Sequence, residues 1–179
     1  MKLSVIVLLW LWVASPDHLN NPVNRESTQE ESYIKFNIRN LGINVEGIFS
    51  SFTTTVNYDK SQPANSRFSA KIQVSSINTG INKRDNHLKQ EEYFHVEKYP
   101  TISFQSTSVS TTSANQLLVK GDITIKGKTI PIELQVSVKE AGGKTQFTIT
   151  GQLDRRDFGV GGNSWTMSDD VYLNLYIEN

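Results

Sequence analysis

The sequence predicts an all-β domain of eight antiparallel strands with one short helical insertion. Two observations carry that expectation. Apolar and polar residues alternate at period two through most of residues 33–178. Only residues 84–104, RDNHLKQEEYFHVEKYPTISF, read as helix-bearing, with strand-like sequence on both sides. One apolar face and one hydrophilic face per strand means antiparallel pairing. Eight such strands close naturally into a barrel, which removes exposed edges. A two-sheet sandwich is the competing architecture, and periodicity alone does not separate them.

The elements follow in order. Residues 33–40 place Ile34, Phe36 and Ile38 on one face and Lys35, Asn37 and Arg39 on the other. Gly42 permits a tight turn. Residues 43–58 read as one long strand with a change of phase: Ile43, Val45 and Phe49 are odd, whereas Phe52, Val56 and Tyr58 are even. One extra residue near Ser50 and Ser51 restores the facing, so a β-bulge is expected there. After the turn DKSQPAN, residues 67–77 put Phe68, Ala70, Ile72 and Val74 on one face. In the insertion, residues 86–92 are helix-tolerant, with Asp85 or Asn82 as the expected cap and Leu88, Tyr93 and Phe94 turned inward. Pro100 stops the helix, and Ile102 and Phe104 begin the next strand.

Residues 117–126 align Gly121, Ile123 and Ile125 before a hairpin at Gly127. Residues 129–139 alternate most regularly, with Ile130, Ile132, Leu134, Val136 and Val138 inward. A Gly-Gly turn precedes residues 145–154, where Phe147, Ile149 and Leu153 align. A glycine-containing loop, residues 155–170, leads to a last strand with Val171, Leu173, Leu175 and Ile177 on one face.

Composition excludes several function classes. Lys and Arg number 18 against 18 Asp and Glu, so no excess charge draws the chain to nucleic acid or anionic lipid. There is no Cys, which removes disulfides and thiolate metal sites. Residues 1–15 read as an export signal: Lys2 precedes an apolar run, residues 3–13, too short to span a bilayer. Pro16 is unfavourable beside a cleavage site, so a retained N-terminal membrane anchor is the alternative. Residues 16–31 are polar and aperiodic, a flexible leader before a domain at residues 32–179. The expected location is periplasmic or secreted.

Candidate chemistry is sparse. His87 and Glu91 lie one helical turn apart, but two ligands do not make a metal site. Arg84 and Asp85 read as an ion pair that fixes the loop, and His95 as an exposed or hydrogen-bonded histidine. Asp154, Arg155, Arg156 and Asp157 read as a loop held by salt bridges and caps. No catalytic residue, metal or cofactor is expected; an enzyme would need His87, Asp85 and His95 to converge. Tyr172 and Tyr176, on an outward face, mark a candidate homodimer contact. The apolar inward face leaves two states, a core packed solid or a bore around an apolar ligand. An empty bore of about 500 Å³ would cost on the order of 10 kcal/mol, so a large one must be filled, hydrated or partly collapsed.

Several segments resemble the YceI-like proteins, exported bacterial proteins with a lipocalin-like barrel. FNIRNLGINVEGIF is similar to their opening hairpin, and SSINTGINKRDNHLKQEEYFHVEKYPTISFQS to their most distinctive run. GDITIKGKTIPIEL, RRDFGV and SDDVYLNLYIE follow in the family's order. The resemblance implies non-catalytic binding of a long apolar lipid in the bore: a polyisoprenoid, an isoprenoid quinone or a fatty amphiphile. Carried over, Ile34, Phe36, Phe68, Ile72, Leu134, Val136, Phe147 and Ile149 would line that bore. Leu88, Tyr93, Phe94 and Phe104 would form the inner face of the insertion, with Phe158, Trp165 and Met167 near the mouth. Two departures stand out: Asn40 occupies a place where many relatives have histidine, and residues 20–31 lack the Trp- or Tyr-containing strand that usually precedes the serine aligned with Ser32. The first bears on head-group preference, the second on the tightness of the first seam.

Overall fold

The computed structural model describes residues 32–179. The export signal, the leader and the weak first strand all fall outside the described residues. Among the described residues the chain forms ten strands in one antiparallel sheet and a single α-helix. The strands are β1 (Tyr33–Asn40), β2 (Ile43–Phe49), β3 (Phe52–Asn57), β4 (Arg67–Gln73), β5 (Ile77–Asn78), β6 (Thr101–Ser113), β7 (Gln116–Ile125), β8 (Lys128–Ala141), β9 (Lys144–Asp154) and β10 (Met167–Glu178). The helix α1 (Asn82–Leu88) lies between β5 and β6.

Ten strands replace the expected eight because two strand paths are each broken once. Pairing runs β3-β4-β6-β7-β8-β9-β10-β1-β2-β5. Its two ends are continuous in the chain with strands at the other end: β2 runs into β3 through Ser50 and Ser51, and β4 into β5 through the 3-10 turn Val74–Ser76. The sheet therefore curls until its ends meet at this corner. Serine hydroxyls and main chain hold the corner: Ser51 N–H donates to Ser76 Oγ (3.1 Å), Ser76 Oγ–H to Gln73 O (2.6 Å) and Gln73 N–H to Ser51 O (2.9 Å). The expected bulge thus takes the form of a full strand break, which re-aims Phe49 and Val56 toward the same interior. Ile43 departs from that row; it sits beside the β1–β2 turn and is 67% exposed.

Two hairpins are tight because both central residues adopt positive φ, Leu41-Gly42 (52° and 77°) and Lys126-Gly127 (50° and 75°). The helix starts earlier than expected, and neither Asn82 nor Asp85 caps it; Ile81 occupies the cap without a side-chain bond. Beyond α1 the insertion continues as hydrogen-bonded turns, including Phe94 N–H to Leu88 O (3.1 Å) and Tyr99 N–H to His95 O (2.8 Å).

The interior divides into two apolar clusters along the barrel axis. One gathers Phe68, Leu117, Val136, Phe147 and Ile177. The other gathers Ile72, Val74, Ile123, Ile125, Phe158 and Val160, with Leu88, Tyr93 and Phe94 packed against it. Tyr176 is not available as an outward contact: it is buried and its ring stacks on Tyr33 at 5.8 Å, whereas Tyr172 is exposed.

Candidate functional site: an apolar bore under a helical cap

Between the two clusters the side chains do not meet everywhere. A cavity of about 190 Å³ remains along the barrel axis. That is below the ~300 Å³ at which ligand pockets usually begin.

Most of the residues expected at the bore do line it. β1 supplies Ile34 and Phe36, β4 supplies Phe68 and Ile72, and β6 supplies Phe104. β8 contributes Leu134 and Val136, β9 contributes Ile149, and β10 contributes Met167. The insertion brings Leu88, Tyr93 and Phe94, and the loop after β9 brings Phe158.

Two expected residues lie elsewhere. Phe147 is wholly buried and forms a plug rather than a wall. Its ring meets Tyr58 (5.5 Å, 83°) and Phe68 (5.7 Å, 87°) edge-on, an arrangement aromatic quadrupoles favour. Trp165 is fully exposed, with no part in the cavity lining. Alternation identifies a strand's inward face, but it does not give the height along the axis, so Phe147 and Ile149 look alike in sequence.

The other end is capped. The insertion and the loop after β9 are joined by Gly161 N–H donating to Glu92 O (2.9 Å). The Lys126 ammonium bridges both segments, reaching Gly159 O at 2.7 Å and Glu92 O at 3.3 Å. Arg155 organises the loop from within. It is 3% exposed, and its guanidinium donates to the carbonyls of Ser168 (2.9 Å), Val160 (2.9 Å), Gly161 (2.6 Å) and Gly162 (3.0 Å) and to Asp169 Oδ1 (3.0 Å). Arg156 adds a second contact to Asp169 at 3.0 Å. The mixed-charge cluster therefore holds the loop, as its composition suggests.

The expected Arg84–Asp85 ion pair is replaced by a bridge through Thr79. The Thr79 hydroxyl donates to Asp85 Oδ1 (2.5 Å) and accepts from Arg84 Nε (2.7 Å). Arg84 Nη2 also donates to Thr79 O (2.7 Å). This bridge stands where β5 pairs with β2 only at Ile48 and Phe49, leaving the Ile43–Gly47 edge facing a surface groove. Val45, Thr79 and Arg84 line both groove and cavity, so the bore adjoins the surface here.

His87, Asp85 and His95 are each held by different partners. His87 packs on Tyr93 and approaches Glu92 (3.7 Å), and His95 packs on Tyr99. Among the described residues no three His, Cys, Asp or Glu gather as a metal site. Asn40, marked in the sequence only as a departure from the relatives' histidine, lines the bore, and its Oδ1 is buried without a hydrogen-bond partner in the protein.

The chain resembles known proteins across nearly all of its described length. It is 28% identical over 156 residues to Protein YceI of Escherichia coli, covering 83% of this chain and 81% of that one. The crystal structure of Burkholderia cenocepacia BcnA superposes with a TM-score of 0.80 at 24% identity, covering 83% of this chain and 96% of BcnA. A polyisoprenoid binding domain from Saccharophagus degradans superposes at 0.61 with 13% identity, covering 82% of this chain and 92% of that domain. These two superpositions establish the fold. The model of the YceI-like domain matches residues 26–179, from ahead of β1 through the closing strand, and the chain belongs to that family.

Proposed function

We propose that this protein is a non-catalytic carrier of a long apolar lipid, a polyisoprenoid, an isoprenoid quinone or a fatty amphiphile, held in the bore. One observation carries the reading: an interior lined almost wholly by aliphatic and aromatic side chains stays partly open between the plug at Phe147 and the cap. Left empty, 190 Å³ costs roughly 4–5 kcal/mol, a large share of a domain's stability, whereas a buried hydrocarbon contributes about 0.8 kcal/mol per CH₂. The Saccharophagus domain of the same fold is a polyisoprenoid binding domain by name, which supports the same class of ligand.

Organic extraction and mass spectrometry of the purified protein test the reading. A long apolar compound is the expected result. Finding none, together with failure to load any quinone or polyprenyl lipid, overturns it.

A second reading is a structural or stress-response barrel that takes no ligand, and the small cavity volume favours it. The export signal read in residues 1–15 sets the protein's work in the periplasm or outside the cell, with or without a retained anchor. Cell fractionation and N-terminal sequencing test that.

A further inference from the structure

Eight residues with polar side chains border the cavity, Tyr93 among them, and one carries a buried polar atom without a partner. Thr79 and Arg84 bond each other, the Arg155 guanidinium is surrounded by carbonyls, and Lys35 pairs with Glu46 at 3.9 Å. Asn40 Oδ1 is the one buried side-chain polar atom among the described residues that has no hydrogen-bond partner. A buried acceptor left unpaired costs free energy, so Oδ1 of the half-buried Asn40 is a place where a donor from a guest, in exchange for water, strengthens binding.

The position of Asn40 says what that donor is attached to. Ile34, Phe36, Ile38 and Asn40 form the inward row of β1, and all four line the bore. The row is apolar until its last member. Asn40 lies opposite Met167, the first residue of β10, while Ile177 near the other end of β10 pairs with Phe147. Asn40 is therefore at the capped end, and the plug is at the far end. The β1–β10 register shifts between Ile38 and Asn40, an irregularity of the kind that re-aims a side chain. A long lipid bound here lies with its tail toward Phe147 and its polar terminus beside Asn40.

Resting on the lipid-carrier reading, we propose that Asn40 is a head-group subsite selecting a lipid whose terminal group is an uncharged hydrogen-bond donor, an alcohol hydroxyl. A hydroxyl donates to Oδ1 directly. An ether, ester or quinone oxygen has no proton to donate, and a phosphate or carboxylate sets its lone pairs against those of Oδ1.

The test is competition against a bound fluorescent polyene lipid, using the full chain. The competitors are geranylgeraniol, its methyl ether and its monophosphate, which share one tail. In the wild type the alcohol displaces the probe about tenfold more effectively than either, the range of one buried hydrogen bond. In Asn40→Leu the alcohol-to-ether ratio falls to about one. Equal displacement by alcohol and ether in the wild type overturns the subsite and leaves the bore reading intact, as does a preference that persists in Asn40→Leu. Tighter binding of the monophosphate also overturns it. If no competitor and no probe binds, the bore reading falls and the subsite with it.

Discussion

Gly161 donates its N–H to the carbonyl of Glu92 at 2.9 Å, and a methyl group on Gly161 would stand 2.8 Å from the ring of Tyr93. The cap over the bore is thus closed by a backbone contact at a position where a side chain would crowd Tyr93. Gly161 also has φ +62°, which costs an L-residue about 1–2 kcal/mol. Gly161→Ala should lower stability by roughly 2–3 kcal/mol once the crowding against Tyr93 is added. It should also speed hydrogen exchange through residues 88–99 more than through β7 and β8. Uniform acceleration of both regions would show that the cap is not a separate unit.

Arg155 is the second support of the cap. Arg155→Lys keeps the charge but offers one ammonium where a planar fork met several carbonyls. Loss of about 2–4 kcal/mol is expected, since buried acceptors are left unpaired. Denaturant unfolding of wild type and variant measures it, and an effect below about 0.5 kcal/mol would remove Arg155 from this role.

The strand faces were legible from alternation, most clearly in β1 and β8, where one neighbour in two is apolar. The break at Ser50 and Ser51 was legible too, because the apolar residues change phase there. The break at Val74–Ser76 was not: Val74 continues the even row of Phe68, Ala70 and Ile72, so the pattern runs smoothly through a corner that long-range pairing creates. Asn40 was hidden for a related reason. It falls in the even row of Ile34, Phe36 and Ile38, but its polar side chain kept it out of the apolar set, and the cavity lining shows that it faces the bore. Arg155 was legible as part of a loop held by ion pairs, but its main-chain partners were not, because carbonyls leave no mark in the sequence.

Ala70 decides between an open bore and a filled core. It lines the cavity opposite Phe104 on the neighbouring strand. Ala70→Phe puts a ring into whatever space exists. With an open bore, folding stability changes by less than about 1 kcal/mol and lipid loading is lost. In a filled core the same change costs about 1–3 kcal/mol through overpacking. Thermal melting and loading of one preparation separate the outcomes.

Asp59 supplies a pH dependence unrelated to the bore. Its carboxylate accepts from the Ser61 hydroxyl (2.7 Å) and from the N–H groups of Gln62 and Ser61 (2.9 Å each). The Ser61 hydroxyl first, then the Gln62 N–H, hold its pKa below the ordinary carboxylate value. A lowered folded-state pKa gives stability that is present above the unfolded value, near 4, and lost as pH falls through the folded one. The melting-temperature difference between wild type and Asp59→Ala should stay level from pH 7 to about 5 and shrink below about 4. A difference that grows on acidification would contradict this assignment.

The plug sets a length limit on any guest. If the tail runs from Asn40 toward Phe147, each added CH₂ strengthens binding until the chain reaches the rings of Phe147, Tyr58 and Phe68. At about 0.8 kcal/mol per CH₂, affinity rises roughly fourfold per carbon along a series of straight-chain alcohols and then levels off. Phe147→Leu shortens the plug from a ring to a branched chain, at some cost in packing because Phe147 is wholly buried. In that variant the plateau should move to longer alcohols, while the slope below it stays the same. A plateau that does not move would mean that the chain stops short of Phe147. A slope without any plateau would mean that the tail leaves the barrel elsewhere, and the groove between β2 and Arg84 would then be its exit.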